Sequence, residues 1–111
     1  MAGQTFLEAD SVAAANLLGA VANPVRWRLL VFLSDGVTRC VCELQPVAAV
    51  SAGLLSYHLR VLREAGLLRA DRRGTWVDYT IVPDVLEQLH RALPTPGYAG
   101  SDPAADQEVA R

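Results

Sequence analysis

SAGLLSYHLRVLREAGLLRADRRGTWVDYTIV, residues 51–82, changes its periodicity once, and that change decides the fold. Up to Ala65, the residues Leu55, Leu59 and Leu62 recur at spacings of four and three, which lines them along one face of a helix from Ser51 to Ala65. Gly66 supplies the break that ends it. Beyond it, Leu67 to Asp71 and Thr75 to Val82 flank Arg72, Arg73 and Gly74, and the second segment is rich in the β-favouring residues Trp76, Val77, Tyr79, Thr80 and Ile81. A helix running straight into a β-hairpin is expected.

Upstream, a short helix is expected over Val41 to Ala48. Before it, Asn23 suits an N-cap and Pro24 a first helical position, opening a helix with Val25, Leu29, Leu30, Phe32 and Leu33 on its apolar face and a stop at Asp35-Gly36. An earlier helix, capped by Asp10 or Ser11, carries Val12, Leu17, Leu18 and Val21. Downstream, Pro83-Asp84 opens a last helix whose stripe of Val85, Leu86, Leu89 and Leu93 has no evident place in so small a core, and it is read as a dimer surface. From Pro94 the chain turns to Pro, Gly, Ala and acids, which cannot offset the entropy of ordering. Residues 1–93 are therefore expected to form one DNA-binding and dimerisation domain, and 94–111 a disordered acidic tail. The fold class is mainly α with a β-hairpin (α+β), in the order of a winged helix-turn-helix.

Composition narrows the function. A chain of 111 residues has room for one core. Half of it is apolar, yet no apolar run approaches the roughly 18–20 residues that span a bilayer, and the N-terminus lacks the pattern of a secretory signal. A cytoplasmic protein without a membrane partner is expected. The net charge of −2 excludes a generally basic coat, so nucleic-acid binding must come from segregated charge. Arg60, Arg63, Arg69, Arg72 and Arg73 lie close together, while Asp102, Asp106 and Glu108 gather near the C-terminus. With Leu55, Leu59 and Leu62 facing the core, Ser56, Tyr57, His58 and Arg60 fall toward the groove side of a reading helix. Arg72 and Arg73 at the hairpin tip suit phosphates or a minor groove.

The blocks VANPVRWRLL (21–30), SYHLRVLREAGLL (56–68) and RGTWVDY (73–79), taken in order, resemble the ArsR/SmtB family of metal-responsive repressors over about Ala20 to Leu93. The resemblance implies a cytoplasmic homodimer that binds operator DNA and releases it on binding a metal or metalloid ion. Ala52 and Gly53 depart from the polar residues the family more often has there.

Cys40 and Cys42 flank one residue, a spacing that argues against a disulfide scaffold and leaves metal, redox or packing roles open. Cys40-Val41-Cys42-Glu43-Leu44 is similar to the family's thiolate segment. Thiolates suit soft ions such as As(III), Sb(III) or Cd(II). Side chains two apart in an ideal helix diverge by about 200°, so joint ligation is expected to need an unwound first turn. Gln45 stands where arsenic-sensing members often have a third cysteine. An alternative site for Ni(II), Zn(II) or cobalt lies on the last helix, where Asp84, Glu87 and His90 recur every three residues. Oxidation of the thiols is a further alternative, and activation rather than repression remains open. No phosphate-binding glycine loop or nucleophile-plus-base set accompanies the cysteines, which argues against an enzyme.

Overall fold

The computed structural model describes residues 2–94, 96 and 97. Its elements are α1 (Ala2–Val21), α2 (Pro24–Leu33), β1 (Arg39–Cys40), α3 (Val41–Ala48), α4 (Ala52–Glu64), β2 (Leu68–Arg73), β3 (Trp76–Ile81) and α5 (Pro83–Ala92). This is a winged helix-turn-helix, with α3 and α4 as the helix pair and β2–β3 as the wing. The expected tail falls outside the described residues apart from positions 94, 96 and 97.

Local chemistry sets most boundaries. The Asn23 side chain accepts from the backbone N–H groups of Val25 and Arg26 at 2.9 and 3.2 Å, and Pro24 takes the first helical position. Ser51 caps α4 through Leu54 N–H at 3.2 Å. At the other end Gly66, with φ +84°, lets its N–H reach Arg63 O while Leu67 N–H reaches Leu62 O, the paired bonds of a Schellman cap. Three boundaries differ from expectation. Helix α1 begins at Ala2 rather than at Asp10 or Ser11, since an alanine-rich run with no Gly or Pro between Gln4 and Leu18 offers nothing to stop it. Arg72 and Arg73 belong to β2, because Gly74, at φ +58°, closes a two-residue turn with Thr75 and leaves Arg73 paired with Trp76. Strand β1 is too short to show an alternation in sequence, and it exists because it pairs with β3.

The core lies where the helices meet the inner face of the wing. Leu29, Leu33, Leu44, Leu55, Leu59, Leu62 and Leu67 are fully buried, each worth about 1.5–3 kcal/mol of transfer free energy. Leu17, Ala20 and Val21 of α1 and Ile81 of β3 complete it. Leu89, expected in a stripe without a place in the core, is 6% exposed within it, and Val85 and Leu86 pack against it. The core has room because α5 lies on α1. Leu93 stays outside, with Val12 and Leu18 of α1. The sheet order is β1-β3-β2, all antiparallel, so β1 ties the start of α3 to the wing.

Candidate nucleic-acid interface and thiol site

Helix α4 turns Leu55, Leu59 and Leu62 inward and presents Ser56, Tyr57 and Arg60 to solvent, with the Arg60 guanidinium 5.8 Å from the Tyr57 ring centre. Arg63 continues that exposed row, one turn beyond Arg60. Its spacing from Arg60 was visible in the sequence as the next step along the same helical face. His58, expected on the groove side, is instead buried at 5% exposure. Its Nδ1 lies 2.9 Å from Nη1 of Arg26. A guanidinium only donates, so Nδ1 accepts and the ring proton sits on Nε2. Burial, and then the neighbouring Arg26 charge, push the His58 pKa below the usual imidazole value. Arg26 also donates through Nε to Ala20 O at 2.5 Å and through Nη2 to Gly19 O at 3.5 Å. One side chain of α2 therefore joins the end of α1 to the middle of α4.

The turn between α3 and α4 is held as firmly. Ala49 adopts a left-handed conformation (φ 54°, ψ 40°), and its N–H bonds to Gln45 O at 3.0 Å. The Gln45 side-chain amide donates to Val50 O across the turn. The residue that replaces a possible third cysteine thus stabilises the turn. Arg28 reaches from α2 to Val47 O and Ala48 O at 3.3 and 3.0 Å, covering carbonyls left open at the end of α3.

On the wing, Arg72 is exposed, and among the described residues it makes no ion pair; the same holds for Arg60 and Arg63. Arg73 differs. Its Nε and Nη2 donate to the two oxygens of Asp78 at 2.6 and 3.3 Å, which raises the Arg73 pKa. Arg69 pairs with Asp71 at 3.1 Å.

Cys40 is not in a helix. It is the N-cap of α3, in extended conformation (φ −79°, ψ 161°), while Cys42 occupies the second helical position. The 200° divergence expected for two helical residues therefore does not apply, and no unwinding is needed to bring the sulfurs together. They are joined as a disulfide, with Cα atoms 5.3 Å apart. The bond links near neighbours and staples no distant segments, so it does not make a disulfide scaffold. Around it, Glu43 accepts from Cys40 N–H at 3.1 Å, Arg39 bridges Asp35 and Glu43, and the Arg39 guanidinium stacks 4.7 Å from the Phe32 ring centre. When reduced, a pair placed this way suits a soft ion: two sulfurs converge from a strand end and a helix start. Among the described residues no group of three or more His, Cys, Asp or Glu is gathered to hold a metal in this conformation. That includes Asp84, Glu87 and His90: Glu87 instead pairs with Arg91 at 3.5 Å, and it lines a shallow groove with His90 and Asp35.

Comparison with known proteins agrees with the fold. The family model described as bacterial regulatory protein, arsR family, matches residues 23–70. An uncharacterized HTH-type transcriptional regulator of Methanocaldococcus jannaschii is 32% identical over 76 residues, covering 68% of this chain and 85% of that protein. An arsenic resistance transcriptional regulator of Pseudomonas putida is 38% identical over 73 residues, covering 66% of this chain and 57% of that protein, so the chain spans little more than half of that relative. The crystal structure of a possible transcriptional regulator for arsenical resistance matches with a TM-score of 0.65 at 32% identity, over 86% of this chain and 94% of that one.

Proposed function

The chain belongs to the ArsR/SmtB family of transcriptional regulators, and from that premise we propose that it is a homodimeric repressor whose operator affinity falls when a soft ion binds Cys40 and Cys42. The observation that carries this reading is the convergence of the two sulfurs at the junction of β1 and α3. Two protomers pair through α1 and α5, where Val12, Leu18 and Leu93 leave apolar surface exposed. Each sets α4 into a major groove, with half-sites about one helical turn apart. Ser56, Tyr57, Arg60 and Arg63 face base edges and phosphates, and Arg72 and Arg73 reach the backbone or minor groove. An ion that binds the low-affinity conformation better than the DNA-bound one shifts the population by that difference. A relative named for arsenic resistance favours As(III) or Sb(III), and the thiolate pair also suits Cd(II).

The disulfide favours a second reading of the same site: a peroxide takes two electrons from the two thiols, forming the S–S bond and two waters.

The deciding experiment uses a duplex selected by the protein from a random pool. Binding of the reduced dimer is expected to weaken linearly in log salt, and Arg72→Ala, present in both protomers, to reduce that slope by about two. As(III) and Cd(II) are expected to release the wild type but not Cys40→Ser, Cys42→Ser. Should Ni(II) or Zn(II) alone release both proteins equally, the sensor is Asp84, Glu87 and His90 instead. Release by peroxide in metal-free buffer, with no effect of As(III) or Cd(II), would select the redox reading.

A further inference from the structure

Cys40 stands in register with Asp78 across β1 and β3, so both side chains project from the same face of the sheet. That face is the outer one, since the alternate positions Leu68 and Ile81 are buried in the core. The Asp78 side chain is only 13% exposed on it. Both of its oxygens are occupied by Arg73 of the wing, at 2.6 and 3.3 Å. The carboxylate that anchors the wing arginine is therefore the cross-strand neighbour of Cys40, although with the sulfurs joined it is not gathered with them into a three-donor set.

Two thiolates alone leave a soft or borderline ion short of donors, since zinc-like ions take four ligands. We infer that Asp78 is a third donor to an ion held by Cys40 and Cys42, and that its carboxylate exchanges between that ion and Arg73. The inference rests on the thiolate reading above and adds a third ligand to it. When a divalent ion binds, the two thiols release two protons and two S–metal bonds form. A carboxylate oxygen then makes a third bond and gives up the guanidinium, and no electron changes hands. The Arg73 guanidinium loses its anchor, while the backbone pairing of Arg73 with Trp76 keeps the hairpin closed. The other nearby acids are less suited. Glu43 already accepts from Cys40 N–H with one oxygen and from Arg39 with the other. Asp71 lies one strand further away and is paired with Arg69.

The test is a cadmium titration of the reduced protein. It is read by the ultraviolet sulfur-to-cadmium charge-transfer band, with affinity measured against a competing chelator. Asp78→Asn is expected to keep the band, which reports the thiolates, and to lose about tenfold or more in affinity. Arg73→Ala is expected to bind cadmium about two- to fivefold more tightly, because it removes the competitor for the carboxylate. Arg73 is exposed on the wing, so this variant decides the matter even if Asp78→Asn fails to fold. Affinities of both variants within experimental error of the wild type would overturn the inference, as would a tenfold loss in Glu43→Gln without one in Asp78→Asn. Cadmium binding that survives unchanged in Cys40→Ser, Cys42→Ser refutes the thiolate reading itself, a different outcome from failure of Asp78.

Discussion

Replacing Arg26 by leucine is expected to cost about 3 kcal/mol of stability, and the structure shows where that cost arises. The substitution removes the donor to Nδ1 of His58, whose ring is 5% exposed. A buried acceptor left unpaired costs about 1–3 kcal/mol. It also removes the 2.5 Å bond from Nε to Ala20 O, a charged hydrogen bond worth about 1.5–3 kcal/mol. The 3.5 Å contact to Gly19 O is long and is given no weight. The sum is reduced because the carbonyl gains water and leucine adds some apolar burial. On a domain of this size, about 3 kcal/mol corresponds to a fall of about 12–24 °C in Tm at fixed protein concentration. The sharper assay is a double-mutant cycle with His58→Leu, followed by urea unfolding. The coupling energy is expected at about 1–2 kcal/mol, because either single change already breaks the shared bond. Additivity within about 0.5 kcal/mol would refute the claim that Arg26 and His58 act as one tie between α1 and α4.

Two further outcomes follow from the same geometry. The folded pKa of His58 is depressed by burial and Arg26, so below the unfolded value of about 6.5 the unfolded chain takes up the proton first. The stability contributed by the neutral ring is complete above that pH and is lost as pH falls toward the folded pKa. Urea midpoints between about pH 8 and 5 are expected to decline in the wild type and to flatten over that range in His58→Leu. Ala49→Gly, at φ 54° in the turn before α4, is expected to raise stability by about 0.5–1 kcal/mol. It removes the left-handed penalty of a Cβ and gives back part of the gain as unfolded-chain entropy.

Much of the fold was legible in the sequence because it is written in near-neighbour chemistry. Helix α3 spans Val41–Ala48 as its sequence led one to expect, α2 starts at the Asn23-Pro24 signal, and the Leu55, Leu59, Leu62 row faces the core. The misses have two causes. His58 stands three residues after Leu55 and four before Leu62, so helical spacing itself puts it on the inward face; its polar ring, not its position, set it outside, and Arg26, thirty-two residues earlier, gives that buried ring its partner. Strand β1 has only two residues and no pattern of its own, and Leu89 finds a core position only through the docking of α5 on α1.

By itself, then, the sequence determined the order of the helices and the hairpin, the start of α2 at Asn23-Pro24, the end of α4 at Gly66 and the inward leucines of α4. Periods of 3.6 and 2 residues and capping preferences act over a few residues and can be read along the chain. Only the tertiary structure decided that Cys40 pairs with β3, that it stands opposite Asp78, and that Asp78 holds Arg73. Those contacts join residues that no local pattern relates, and they form because packing the wing against the helices brings the strand edge and the helix start together.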